Sequence, residues 1–387
     1  MNRIFISYSG LRIKRAVLFS AFRDHGLDPW RDVESLALGD DTTETIEAEL
    51  ATCSGVLLWI NDEVLSSDYV AQVELPALVR TWSTRRLRIV PVFDGLSPED
   101  ATERLSRFGF ELGDSNGFVV DPGLREEITA AEIAGRYVDA HVQDAHRRGA
   151  RPVVRLVTYD DTAALRDEAV LNFDWRHHLQ AGTLEGPSEQ YLRDALAAST
   201  SALKGAYGAS EIELAVKAHL PLAAALGHAF AEPTGCTLRM TRGDSVFVTD
   251  RERGDDESLE EQDRPKGPIA SRAAAIEVSV SRNVEAGVNE YVGEGHRYRH
   301  RTRLVPRGNA NRDSLDGNPA ANVWARQVAN AIVDLADRTD VDRVDLFLAT
   351  PVELAVMIGW WTNASGRIDL MNWAGKTGPY ERMWTLP

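Results

Sequence analysis

The apolar positions of this chain switch repeatedly between a period of two and a period near 3.6. Residues 3–8 (RIFISY) form a short β-branched and aromatic run that predicts a strand. Ala16, Leu18, Phe19 and Phe22 recur at helical spacing and predict a helix over 14–25. GLDPW (26–30) supplies a turn and a short second strand. Gly39 and Asp40 then precede a helix from about Thr42 to Ala51, whose Thr/Glu pattern suits its N-terminus. VLLWI (56–60) is wholly apolar, as a buried parallel strand is. A helix from about Ser67 to Arg80, the strand LRIVPVF (87–93) and a helix from about 123 to 147 complete the series. This alternation predicts a parallel sheet with helices on both faces.

HRRGARP (146–152) breaks the pattern with charge, Gly and Pro, and places a boundary between a domain over 1–147 and another over 151–387. VVRLVTY (153–159) opens the second domain as a strand. A helical region is expected from Glu189 to about Phe230, interrupted near Gly205–Gly208 and at Pro221. CTLRMTRGDSVFVTD supplies one or two strands. The charged segment 251–268 reads as an exposed loop or a linker between two lobes. IEVSVS (276–281) and RYRHRTRLVP (297–306) read as strands, the second either solvated or a subunit contact. Residues 318–337 read as a helix, RVDLFLATP (343–351) as a buried strand, VELAVMIGWWTN as a helix and RIDLMNW (367–373) as a strand. Strand-helix-strand units with short connections imply parallel crossovers, hence two Rossmann-type lobes.

Composition narrows the function classes. At 387 residues the chain is too long for one core, and 43% apolar with 26% charged residues fits a folded protein. The net charge of -16 repels a nucleic-acid polymer but leaves room for a local basic pocket around a small anion. Cys53 and Cys236 are far apart, so no disulfide framework is expected and a reducing, cytoplasmic setting is. MNRIFISYSG does not read as a signal peptide, and no apolar run reaches the roughly 20 residues that span a bilayer. No G-x-G-x-x-G follows the first strand, which disfavours hydride transfer, and no complete G-x-x-x-x-G-K-S/T P-loop occurs. His177 and His178 have no cysteine nearby, so no metal site is expected.

FISYS (5–9), GLDPWRD (26–32), LALGD (36–40) and a glutamate in the helix after the third strand together resemble the Toll/interleukin-1-receptor (TIR) family, over about 140 residues. The resemblance implies a flavodoxin-like parallel sheet. In enzymatic members the glutamate is essential for cleaving the nicotinamide–ribose bond of NAD+, and the matching residue is Glu74 in SSDYVAQVEL. The family places an aromatic residue four positions before this acid, whereas Tyr69 is five before it. Glu63 and Glu49 fit exposed helix faces and are weaker alternatives. A fixed carboxylate stabilises the oxocarbenium character that builds on the ribose as nicotinamide leaves. Ser9 and Arg12 follow the first strand at its C-terminal edge, where open α/β sheets bind ligands. The resemblance adds Trp30 as a surface for the nicotinamide ring, against an equal reading as a core tryptophan. Asp32 and Asp40 flank a loop that moves in TIR assemblies, against a reading as solvated acids.

LFLATP (346–351), ELAVMIG (353–359), RIDLMNW (367–373) and IEVSVSRNVEAGV (276–288) resemble the SAVED family, the sensors fused to effectors in bacterial cyclic-oligonucleotide-based anti-phage signalling (CBASS). The resemblance covers roughly 150–387 and implies two fused CARF-like lobes, with their boundary near 251–268. It also implies a pocket at strand ends for a cyclic oligonucleotide, cyclic tri-adenylate foremost. Such a ligand requires cations, backbone N–H groups and flat surfaces for its bases. Arg239, Arg242, Ser281, Arg282, Thr350 and Lys376 are the candidates, each against a reading as a surface charge or cap.

The two resemblances together imply an NAD+ glycohydrolase with no cofactor, NAD+ as substrate and the cyclic oligonucleotide as activator. Ligand binding would drive head-to-tail self-association, because a heterologous, non-closing contact propagates as a filament. Alternatives are a non-enzymatic TIR scaffold, a cyclase that makes cyclic ADP-ribose, and a nuclease acting on the bound ring, for which no catalytic constellation is visible.

Overall fold

A computed structural model describes the chain except residues 1, 9–12, 31–41, 69, 86, 113–116, 161–167, 181, 185–187, 251–257, 264–270, 294, 296–297, 309, 312–313, 316, 364–365 and 374–379. The chain forms two compact units, residues 1–150 with 166–173, and residues 151–165 with 174–387.

In the first unit the strands are β1 (Arg3–Ser7), β2 (Asp28–Trp30), β3 (Gly55–Ile60), β4 (Arg88–Phe93) and β5 (Phe118–Val119). They form one parallel sheet in the order β2-β1-β3-β4-β5. Every residue of β3 is buried, which is why its sequence runs apolar without alternation. The helices are α1 (Arg15–Asp24), α2 (Thr42–Thr52), α3 (Asp62–Ser66), α4 (Leu75–Arg85), α5 (Pro98–Ser106) and α6 (Glu126–Arg147). Three of these elements, α3, α5 and β5, lie where the sequence pattern predicts none. Ser97 caps α5 by accepting from the Asp100 N–H, and Pro98 starts it, as suits a first turn. One core joins Phe5, Val56, Leu58 and Ile60 of the sheet to Ile46 and Leu50 of α2 and to Leu75 and Leu78 of α4. Elsewhere in the unit α1 packs on α6, with Phe22 meeting Tyr137 at 5.5 Å between ring centres.

The helix expected over 67–80 is not uniform. Residues Val70–Glu74 form a π-helical turn, and α4 follows it directly. Pro76 accounts for the interruption, because it has no N–H to donate to the carbonyl four residues back. A π turn holds one residue more than an α turn, so it widens the spacing along the helix by one position.

Among the described residues the second unit contains two large sheets and a separate two-stranded hairpin. The strands of the first lobe are β6 (Val153–Val157), β7 (Leu171–Asp174), the small hairpin β8 (Leu179–Gln180) with β9 (Thr183–Leu184), then β10 (Glu211–Lys217), β11 (Thr237–Arg242) and β12 (Ser245–Val248). Most of β7 belongs with residues 166–173 of the first unit. The remaining long strands run in the order β12-β11-β10-β6, parallel except for β12. Helices α7 (Ser188–Tyr207) and α8 (Leu220–Ala229) flank β10 in the sequence. Residues 211–217 therefore correct the helical expectation over 189–230. Ile212 and Leu214 are buried, Glu211 is exposed and Glu213 lies between, which is the alternation of a strand. Gly208, at φ +64°, ends α7 before it.

The other lobe comprises β13 (Glu260–Asp263), β14 (Ala273–Ser279), β15 (His300–Val305), β16 (Arg343–Ala349), β17 (Ile368–Trp373) and β18 (Tyr380–Leu386), with helices α9 (Glu285–Gly293), α10 (Asn318–Ala336) and α11 (Val352–Trp361). The order is β13-β15-β14-β16-β17-β18, four parallel strands between two antiparallel edges. The charged segment expected to be a loop thus contains the edge strand β13. An edge strand needs only backbone partners, so EEQD can fill it. β15 is an internal strand, not a solvated one. Its Arg301 and Arg303 both pair with Glu277, which is fully buried on β14.

The two lobes share a close helix contact. α8 and α11 each begin a few residues after a parallel strand and each carries a glycine at the eighth position. A Cβ on Gly227 would lie 2.0 Å from the Val356 carbonyl oxygen, and one on Gly359 would lie 1.9 Å from that of Ala224. Among the described residues no helix is long and apolar enough to cross a membrane.

Candidate functional site

Glu74 closes the π turn and points inward, 4% exposed. Its carboxylate accepts a hydrogen bond of 2.5 Å from the Ser7 hydroxyl, at the C-terminal end of β1. Ser7 is 1% exposed and lies beside Leu58 in the sheet. The acid therefore sits under the C-terminal edge of the parallel strands, the edge where such sheets bind ligands. Glu63 is exposed on α3, and Glu49 pairs with Arg3 at 3.0 Å, so neither shares this position. Trp30 is buried in the core and stacks on Phe5 with ring centres 5.3 Å apart. Ser9, Arg12, Asp32 and Asp40 lie outside the described residues, as does Tyr69.

In the second unit the C-terminal strand ends of each lobe gather polar side chains. Thr350 follows β16 and is 7% exposed, and its hydroxyl has no hydrogen-bond partner among the described residues. Ser281 is held beside it through its backbone N–H, which donates to Ala349 at 2.8 Å, while the neighbouring Arg282 side chain is exposed. Arg242 ends β11. It reaches Glu353 in the first turn of α11 at 3.5 Å, donates to the Leu315 carbonyl at 3.3 Å and lies over the Phe247 ring. Burial raises the Glu353 carboxyl above its ordinary range, and Arg242 opposes that rise. Thr350 and Arg242 are thus linked through the start of α11. Arg239 is not brought to this edge. It lies two residues inside the start of β11 and faces Glu211, at the opposite end of β10, at 3.9 Å. Lys376 lies outside the described residues.

Sequence reasoning missed the matching edge of the other lobe. Tyr159 follows β6 and is 44% exposed, Lys217 ends β10 with its ammonium 5.8 Å from the Tyr159 ring centre, and His219 packs edge-on against the same ring. The His219 Nδ1 lies 2.8 Å from the Thr158 hydroxyl, and burial lowers the His219 pKa. Asn372, at the C-terminal end of β17, donates to the Gly182 carbonyl at 2.8 Å. A Cβ on Gly182 would lie 3.5 Å from His219 and 3.8 Å from Asn372. The strand-end rule applied to VVRLVTY and EIELAVK would have found these residues, had the second run been recognised as a strand.

Comparison with known proteins agrees with this architecture. Residues 4–114 match the TIR domain, and residues 195–386 match the "SMODS-associated and fused to various effectors sensor domain", SAVED. Among solved structures the chain is similar to a Cap4 SAVED/CARF-domain containing receptor of Acinetobacter baumannii with the cyclic trinucleotide 2'3'3'-cAAA. The identity is 11%, the TM-score 0.51, and 90% of this chain and 86% of that one are covered. The same receptor with 3'3'3'-cAAA gives 10% identity, a TM-score of 0.51 and the same coverage. Identities this low speak for the fold alone. No curated protein matches the chain.

Proposed function

We propose, from the premise that this chain is a TIR domain fused to a SAVED domain, that it is an NAD+ glycohydrolase of cyclic-oligonucleotide-based anti-phage signalling, switched on by a cyclic oligonucleotide. The single observation that carries the enzymatic half is the buried Glu74 carboxylate, held at the strand-end edge by Ser7. NAD+ has a neutral leaving group in nicotinamide, so no acid must protonate it. As the N-glycosidic bond lengthens, positive charge grows on the ribose, and a carboxylate in a dry pocket stabilises it more strongly than water would. Water then adds to the ribosyl carbon and loses a proton, giving ADP-ribose, nicotinamide and H+. In a single chain Glu74 is shielded from solvent, which supports a site that becomes complete when neighbouring copies assemble.

The sensor half is supported by the polar strand ends of the second unit. The unpartnered Thr350 hydroxyl, the Arg242 guanidinium, Lys217 and the exposed Tyr159 ring offer hydrogen bonds, positive charge and a stacking surface. A ring of nucleotides demands those three things. Likeness to the Acinetobacter receptor with cyclic trinucleotides makes cyclic tri-adenylate the first ligand to try. Binding would favour head-to-tail assembly, and assembly would bring TIR domains together.

The test incubates the purified protein with NAD+ and a panel of cyclic oligonucleotides while nicotinamide release and particle size are followed together. Release should depend on one ligand and rise with particle size. Glu74→Gln should lower release by roughly 10²- to 10³-fold or more without changing ligand affinity. Ligand-induced assembly with NAD+ left intact would leave a scaffold instead. Full activity in dilute, monomeric protein would remove assembly from the mechanism.

A further inference from the structure

We infer that Ser7 is a positioning residue for the reaction at Glu74, an inference that rests on the reading of Glu74 given above. The two residues are 67 positions apart in the chain and belong to different elements, yet the Ser7 hydroxyl donates to Glu74 Oε2 at 2.5 Å with both side chains buried.

Each partner is fixed by its own element. Ser7 is in register with Leu58 across two hydrogen-bonded parallel strands, so its Cβ direction is set by the sheet. Glu74 is set by the π turn and by α4, which packs Leu75 and Leu78 into the core immediately after it. The glutamate side chain between those anchors has three torsions to fix. A hydrogen bond to one carboxylate oxygen fixes them and leaves the other oxygen a defined direction. The same O–H favours the ionised acid, which is the form that stabilises a ribosyl cation. Ser7 itself needs no contact with NAD+. It acts by holding the acid in one place and in one charge state, so its effect should fall on the chemical step.

The sequence context agrees with this role. Phe5 and Ser7 point to the same face of the sheet, two residues apart on β1. Phe5 contributes to the apolar core there, and Ser7 replaces the next apolar position with a hydroxyl directly over the acid. A serine at a wholly buried strand position costs desolvation unless its hydroxyl is paired, and the carboxylate pairs it.

The experiment compares Ser7→Ala, Ser7→Thr and Ser7→Cys with wild type in the full chain, with the activating cyclic oligonucleotide present. Nicotinamide release is measured as kcat and KM across pH, beside thermal melting. Ser7→Ala should lower kcat by about tenfold to hundredfold, as losing a hydrogen bond to a charged group does, with KM little changed. The acid limb of its pH profile should move to higher pH. Ser7→Thr keeps the donor and should restore most of the rate. Ser7→Cys keeps the volume but is a weak donor, and should behave like alanine even where the alanine variant folds poorly. A Ser7→Cys protein with wild-type kcat and pH profile overturns the inference, as does a Ser7→Ala loss that appears only in melting temperature. A wild type that releases no nicotinamide with any ligand defeats the reading of the function instead. The positioning contact is then read by 13C titration of the Glu74 carboxyl, assigned with Glu74→Gln. A midpoint unmoved by Ser7→Ala overturns the inference, and a midpoint moved upward upholds it.

Discussion

The two units treat their functional polar groups in opposite ways. In the first, Glu74 is buried and its carboxylate is already held by Ser7 across the sheet edge. In the second, the groups at the strand ends are not held by one such pairing. Tyr159 is exposed, Arg242 reaches Glu353 only at 3.5 Å, and the Thr350 hydroxyl is buried without a partner among the described residues. A shielded acid whose carboxylate is already hydrogen-bonded does not meet substrate unaided. A buried hydroxyl without a partner carries a desolvation penalty that a ligand can relieve. The contrast suits a device in which the second unit receives a ligand first and the first unit acts afterwards. It can be broken or sharpened by changes that act on one unit and spare the other.

The largest expected effect is at the helix contact that joins the two lobes. Gly359→Val places a side chain where even a Cβ would lie 1.9 Å from a backbone oxygen, and neither backbone can yield without parting α8 from α11. We expect a loss of about 3 kcal/mol, which lowers the melting transition of the second unit by roughly 6–12 °C. Cyclic-oligonucleotide affinity should fall with it, because the polar strand ends of both lobes are placed by these helices. Calorimetry of the full chain checks this. A single transition that shifts as a whole would show that the units melt together and would weaken the contrast between them.

A second effect of similar size belongs to the first unit. His141 on α6 is fully buried, with its Nε2 donating to the Val170 carbonyl at 3.1 Å, and burial lowers its pKa to about 4. The unfolded chain binds the proton near 6.5, so it binds more protons than the folded chain between those values. Stability therefore falls as pH drops from about 6.5 towards 4, by up to about 3 kcal/mol. Denaturant melts of wild type and His141→Gln across this range read the difference. Curves that stay parallel would mean that His141 is not held neutral.

How much of this was legible in the chain depends on how far apart the interacting residues lie. The wholly apolar VLLWI run announced a central parallel strand, and the acid at Glu74 was visible as a residue type after it. The turn that places Glu74 leaves one signal in the sequence, Pro76: a proline two residues beyond the acid has no N–H for the α-helical ladder. EIELAVK blends into the helical stretch around it because its alanine and glutamates suit helices, and its alternation covers only a few positions. EEQD has no apolar pattern at all, since an edge strand is held by its backbone. Trp30 shows the opposite limit. Its neighbours in sequence leave a core residue and a ligand surface equally open, and only Phe5 stacked on it at 5.3 Å makes it core. The pairing of Ser7 with Glu74 and the isolation of the Thr350 hydroxyl are properties of three-dimensional packing, which no local spacing carries.

The smallest effect gives the sharpest test of the contrast, because it has opposite signs in the free and bound protein. Thr350→Val keeps the shape and β-branching of the side chain and removes only the hydroxyl. Without ligand that hydroxyl is buried and has no partner among the described residues, so its removal should leave stability unchanged or raise it by about 1 kcal/mol. With ligand the hydroxyl should donate to or accept from the oligonucleotide, so its removal should weaken binding about tenfold. Melting of the free protein and titration calorimetry with cyclic tri-adenylate read the two signs separately. The corresponding change in the first unit, Ser7→Ala, removes a hydroxyl that is already paired and should not stabilise the free protein. Equal signs for the two substitutions would mean that the strand ends of the second unit are as satisfied as the acid of the first, and the asymmetry on which the ligand-first order rests would be gone.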